Sequence, residues 1–149
     1  MIYKIDMGLE LIINGTDKAI SNNITRKLKE KGINISFEQF TILTKLWKNN
    51  GLCQYSLSQL TNRDQASTSR LINTLIKNNL LLRQCCNSDK RINRINLTEK
   101  GELLKEPVLA VAQECLEEAV QGMSQEEIQQ GIQFLEKIVE NLNPKSSTK

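Results

Sequence analysis

Asp64-Gln-Ala-Ser-Thr-Ser-Arg-Leu-Ile-Asn-Thr-Leu-Ile-Lys77 decides how this chain is read. Leu71, Ile72, Leu75 and Ile76 recur at helical spacing, which leaves Ala66, Ser67, Arg70, Asn73, Thr74 and Lys77 on the other side. That outer side is short, polar and basic. Asp64 precedes the first turn, where an acid meets free backbone N–H groups. Asn78-Asn79 follows the last turn, and asparagine tolerates the left-handed backbone that ends a helix. Beyond it, Leu80-Leu-Leu-Arg-Gln-Cys-Cys86 and Ile92-Asn-Arg-Ile-Asn-Leu97 bracket Asn87-Ser-Asp-Lys-Arg91, the signature of a hairpin with a positively charged tip.

A helix sized for a groove beside a hairpin that reaches the next groove predicts a winged helix-turn-helix. The upstream residues fit that reading. Ser36 with Gln39 has the spacing of a capping box, and Phe37, Phe40, Leu43, Leu46 and Trp47 then bury one stripe of a helix that ends near Asn49-Asn-Gly51. Leu52-Cys-Gln-Tyr55 predicts a short strand closing the wing's sheet. Ser56 with Gln59 predicts a second box, opening a positioning helix over Leu57 to Asn62.

Outward from this lobe the chain reads as helix. From Leu9 to Lys31 the apolar positions Leu11, Ile12, Ala19, Ile20, Ile24 and Leu28 predict one long helix, weakened at Gly15 and Ser21-Asn-Asn23 and stopped by Gly32. Thr98 is placed to cap the helix after the wing, where Leu104, Val108, Val111, Cys115 and Ala119 share a broad face. Pro107, about two turns in, predicts a kink. Gly122-Met-Ser124 breaks the chain, and Ser124 with Glu127 opens a last helix bearing Ile128, Ile132, Leu135, Ile138 or Val139, and Leu142. The expected organisation is a winged-helix lobe over 36–98, a helical dimerisation region over 8–32 and 99–142, and a flexible tail over 143–149, with residues 1–7 as an arm across a partner subunit. The class is mainly α with a small β-wing.

The formal charge of the 149 residues is only +3, but it is unevenly placed. Residues 60–100 carry eight basic side chains against three acidic ones, a net +5, while residues 101–142 carry nine glutamates against two lysines, a net −7. A basic patch raises affinity for a polyanion, and an acidic region should face away from it. There is no opening run both long and apolar, so neither a signal peptide nor a membrane span is expected, and the chain is placed in a bacterial-type cytoplasm. The four cysteines are expected as free thiols in a reducing compartment. With no histidine, imidazole-based catalysis and histidine metal centres are excluded, and no glycine loop for phosphates is present. Neither enzyme activity nor a cofactor is expected.

Thr68-Ser-Arg-Leu-Ile-Asn-Thr-Leu75, Asn79-Leu-Leu-Leu-Arg83, Asp89-Lys-Arg91 and Leu97-Thr-Glu-Lys-Gly101, in that order and spacing, resemble the MarR family of bacterial transcriptional regulators. The resemblance runs from about Ser36 to Gly101, with a looser fit in the flanking helices. It implies an all-helical, two-fold dimerisation lobe. It also implies that Asp89 and Arg91 form the family's aspartate-x-arginine wing signature, in which the arginine enters the minor groove and the aspartate orients it. Small aromatic or phenolic effectors are a further implication.

The expected partners are therefore double-stranded DNA with a pseudo-palindromic site and a second copy of the chain, with recognition helices about 34 Å apart. Ser67, Arg70, Asn73 and Thr74 are the candidate base readers, and Lys77, Lys90 and Arg94 the candidate phosphate contacts. Arg94 is also placed to brace the hairpin. Two other readings stay open. Cys85 and Cys86, pointing to opposite faces of a strand, would form a redox site if a neighbouring Arg83, Lys90 or Arg91 lowers a thiol pKa. The family's best-known oxidant sensors carry the cysteine in the first helix, where this chain has none. Alternatively, the outer face grips a protein instead of a duplex.

Overall fold

The computed structural model describes residues 8–86, 88, 89 and 92–143. The expectations for the arm at 1–7, for Lys90 and Arg91, and for the tail beyond 143 lie outside them. The chain forms two compact units, one ending at Cys115 and one starting at Leu116.

The first unit opens with α1 (Gly8–Glu30), which runs unbroken through Gly15 and Ser21-Asn-Asn23. Ser21 is accommodated because its hydroxyl bonds back to the Asp17 carbonyl at 2.8 Å. The C-terminal half of α1 reaches the core through Ile24 and Leu28, whereas Leu11 and Ile12 on its N-terminal half stay 72% and 68% exposed. Its end is a Schellman motif. Gly32, at φ +75°, donates to the Lys29 carbonyl, and Ile33 donates to the Leu28 carbonyl.

α2 (Phe37–Lys48) begins with the expected capping box: the Ser36 hydroxyl accepts from the Gln39 N–H, and the Gln39 side chain accepts from the Ser36 N–H. Its buried stripe is Ile42, Leu43 and Leu46, with Phe37, Phe40 and Trp47 packed beside it. β1 is only Leu52–Cys53 and leads directly into α3 (Gln54–Leu60). This corrects two expectations, because Gln54 and Tyr55 are helical and Ser56 lies inside the helix, where it cannot cap it. The reason is tertiary. Pairing with the wing ends at Cys53, whose extended backbone at φ −75°, ψ 158° makes it the N-cap without a side-chain cap bond.

After α4 (Gln65–Lys77), β2 (Leu81–Cys85) and β3 (Asn93–Leu97) form the wing. The sheet is antiparallel, in the order β1-β3-β2, with Leu52 opposite Ile95, Leu81 opposite Leu97, and Arg83 opposite Ile95. Only Leu81 is buried along β2, so the hairpin projects beyond the core that holds its root.

α5 (Glu99–Leu103) starts from the expected Thr98 cap, whose hydroxyl accepts from Gly101. Pro107 does not kink a continuous helix. The helix breaks at Leu104, and Pro107 falls in the first turn of α6 (Lys105–Ala119). Proline is tolerated there because first-turn N–H groups have no intrahelical acceptor. Val108, Val111, Ala112 and Cys115 bury the inner face of α6. Lys27 on α1, itself buried, extends its ammonium to Glu114 at 3.0 Å.

In the second unit, Gly122 at φ +83° makes the turn and the Ser124–Glu127 capping box opens α7 (Gln125–Leu142). No residue of α7 is buried, although Phe134, Leu135 and Val139 are large and apolar. Among the described residues, no helix is long and apolar enough to cross a membrane.

Candidate nucleic-acid interface

α4 is positioned from inside. Ile72 and Leu75 are fully buried, each stabilising the packing by roughly 1.5–3 kcal/mol relative to exposure. Thr68, which sequence patterning placed on neither face, is also fully buried, and its hydroxyl is satisfied there by donating to the Asp64 carbonyl at 2.9 Å. Ala66, Arg70, Asn73, Thr74 and Lys77 are all exposed, as the periodicity predicts.

The start of the helix is fixed by Asp64. Its carboxylate accepts from the Ser67 N–H at 2.7 Å and from the Ser67 hydroxyl at 2.9 Å. These two bonds, the backbone one first, hold its pKa below the usual aspartate value, with Arg70 adding a small attraction. Ser67, named as a base reader, thus commits its hydroxyl proton to the cap. Thr74 similarly donates to the Arg70 carbonyl at 3.0 Å. At the far end Asn79 takes φ +59°, Lys100 donates to the Asn78 carbonyl, and Thr98 donates to the Asn79 carbonyl. In the turn before α4, Arg63 keeps a buried Nε that has no hydrogen-bond partner among the described residues.

The wing is tied to this helix by Arg83. Its Nη2 donates to Asn73 Oδ1 at 3.0 Å and lies 3.5 Å from Gln54 Oε1 on α3. Sequence reading missed this role, although alternation carried a signal. Arg83 shares its strand face with Leu81 two residues earlier, so it points toward the helices and not away from them. Arg94, on β3, donates to the Gly51 carbonyl at 3.0 Å and so braces the hairpin against the turn before β1.

Neither wing cysteine is buried. Cys85 is exposed, with its thiol 3.4 Å from Asn93 Oδ1, and Cys86 is half-buried, 3.1 Å from the Ser88 hydroxyl. Facing inward does not bury a side chain here because the strand has already left the core. The Cys86 pKa is lowered to about 7, chiefly by hydrogen bonds from the Ser88 side chain and backbone and then by the Asp89 backbone. Among the described partners Arg94 contributes least, and the expected cations Lys90 and Arg91 lie outside the described residues. Asp89 offers its carbonyl to the Ile92 N–H at 3.1 Å, shaping the turn. No cluster among the described residues could hold a metal ion.

Comparison with known proteins places this geometry. Residues 35–92 match the MarR family model. A MarR transcriptional regulator from Methanosarcina mazei Go1 is 26% identical over 91% of this chain and 96% of its own, with a TM-score of 0.81. A MarR protein from Peptoclostridium difficile is 25% identical over 95% and 92%, with a TM-score of 0.84. A cysteine-to-serine variant of MarR from E. coli, solved in complex with operator DNA, shares the fold at 18% identity over 89% and 94%, with a TM-score of 0.82. The capped helix, the wing behind it and these likenesses converge: residues 35–92 carry the winged-helix lobe of the MarR family, and over most of its length the chain is similar to MarR-family transcriptional regulators.

Proposed function

We propose that the chain is a homodimeric, cytoplasmic repressor that binds a pseudo-palindromic operator and is released by a small aromatic effector. The observation that carries the DNA-reading part is the α4 face. Arg70, Asn73, Thr74 and Lys77 stand exposed on a helix whose other side is locked into the core by Ile72 and Leu75. Arg70 reaches base edges and Lys77, at the last turn, meets phosphate. Arg91, oriented by Asp89, enters the minor groove, while Lys90 and Arg94 contact the DNA backbone. Dimerisation follows from the apolar residues left uncovered on α1 and α7, and effector release from the family resemblance. Relatives of the same fold support the DNA partner, since MarR from E. coli was crystallised with operator DNA and AbfR with DNA.

The test compares binding of wild type, Arg70→Ala and Arg91→Ala to duplex from the gene's upstream region and to random duplex, across salt. Wild type should favour the upstream site by about 10³-fold or more. Arg70→Ala should forfeit about 1–3 kcal/mol of that discrimination. A wild type that binds both duplexes alike overturns the specific-regulator reading.

A second reading, a thiol-responsive regulator, is favoured by one observation: Cys86 sits on the wing with a pKa near neutrality. Oxidant treatment that leaves duplex affinity unchanged would remove it.

A further inference from the structure

Asn73 has its amide orientation set by its neighbour. A guanidinium carries only donors, so the atom 3.0 Å from Arg83 Nη2 must be the amide oxygen. The Asn73 NH2 group, with two donors, is then the end free for a ligand. Arg83 comes from β2, on the face it shares with buried Leu81, and Gln54 on α3 flanks the same guanidinium. Three elements, α3, α4 and β2, therefore meet at one guanidinium.

We infer that Arg83 biases Asn73 toward donating, which favours a base presenting acceptors in the major groove, guanine above adenine. The usual two-way asparagine contact to adenine needs the amide oxygen to accept from N6–H while the NH2 donates to N7. Here Arg83 fills one of that oxygen's two lone-pair positions and fixes the amide plane, so an adenine N6–H would have to share the oxygen with a guanidinium. Guanine presents two acceptors, O6 and N7, and asks for no acceptor in return. Arg83 acts through Asn73 and is a positioning residue. The inference rests on the proposal that α4 enters the major groove.

The experiment selects preferred sites from randomised duplexes with the full-length wild type, Asn73→Ala, Arg83→Met and Arg83→Lys. Arg83 is exposed and makes only surface hydrogen bonds, so its variants should keep the wild-type circular dichroism spectrum and melt only slightly lower. The position read by Asn73 is the one whose preference Asn73→Ala flattens. At that position wild type should favour guanine. Arg83→Met, which frees the oxygen, should favour adenine by about tenfold, on the scale of a two-bond base contact. Arg83→Lys, which restores a donor, should return the preference toward guanine. A purely structural arginine would lower affinity without moving the base preference. Wild type favouring adenine at that position, an unaltered preference in Arg83→Met, or an Asn73→Ala that flattens none, overturns the inference and leaves the regulator reading intact. A wild type that selects no sequence overturns both.

Discussion

Cys86 illustrates how a single turn can set a residue's chemistry. The Ser88 hydroxyl and the Ser88 and Asp89 backbones stabilise the thiolate, so folding brings the pKa down from an ordinary 9.0 to about 7. The folded value is the lower one, so its favourable effect is full above the unfolded pKa and is lost as pH falls through the folded value. Alkylation of Cys86 by iodoacetamide, followed by mass spectrometry across pH, should therefore reach half its maximal rate near pH 7. Ser88→Ala should move that midpoint back toward pH 9. A midpoint near 9 in the wild type would show that Ser88 does not hold the thiolate. The sequence points to the cysteine pair through neighbouring cations, of which Lys90 and Arg91 lie outside the described residues. The decisive partner is two residues away and becomes legible only once the turn's shape is known.

Between elements, the tightest junction is where α5 meets the wing and α2. A Cβ at Gly101 would lie well inside contact distance of the Leu80 carbonyl oxygen and 3.2 Å from the Leu97 side chain. The same Leu80 carbonyl accepts from the Thr98 N–H, and the Gly101 carbonyl accepts from the Trp47 indole at 3.0 Å. Gly101→Ala must displace backbone rather than a flexible side chain. It should destabilise the protein by roughly 1–3 kcal/mol, the usual range for overpacking, measured as a lower urea midpoint. A wild-type midpoint in that variant would mean the junction can relax freely. Elements differ in how far sequence reveals them. The caps at Ser36, Asp64, Thr98 and Ser124 were readable because both partners lie within three residues. The start of α3 was not, because it is set by pairing of Cys53 with Arg94, forty-one positions away. Arg83 was hidden for a similar reason: its partner Asn73 lies across the turn that ends α4.

At the scale of the whole chain, apolar surface and charge argue for paired action. Leu11 and Ile12 on α1, and Leu135 and Val139 one turn apart on α7, are large apolar side chains left exposed, and apolar faces of this kind mark interaction surfaces. A symmetric dimer would cover such faces and make stability depend on protein concentration. Wild type should therefore sediment at twice its 17.0 kDa chain mass, with a melting temperature that rises with concentration. Leu135→Asp with Val139→Asp should sediment as a monomer and lose that dependence. The DNA readout follows from counterion release, since each phosphate neutralised adds about 0.9 to the slope of log affinity against log salt. Two heads engaging one duplex should give about twice the slope of the single head in the double variant. Equal slopes, or a wild type that sediments as a monomer, would mean that one chain reads DNA alone. In that case the net +5 of residues 60–100 would be the whole electrostatic footprint rather than half of it.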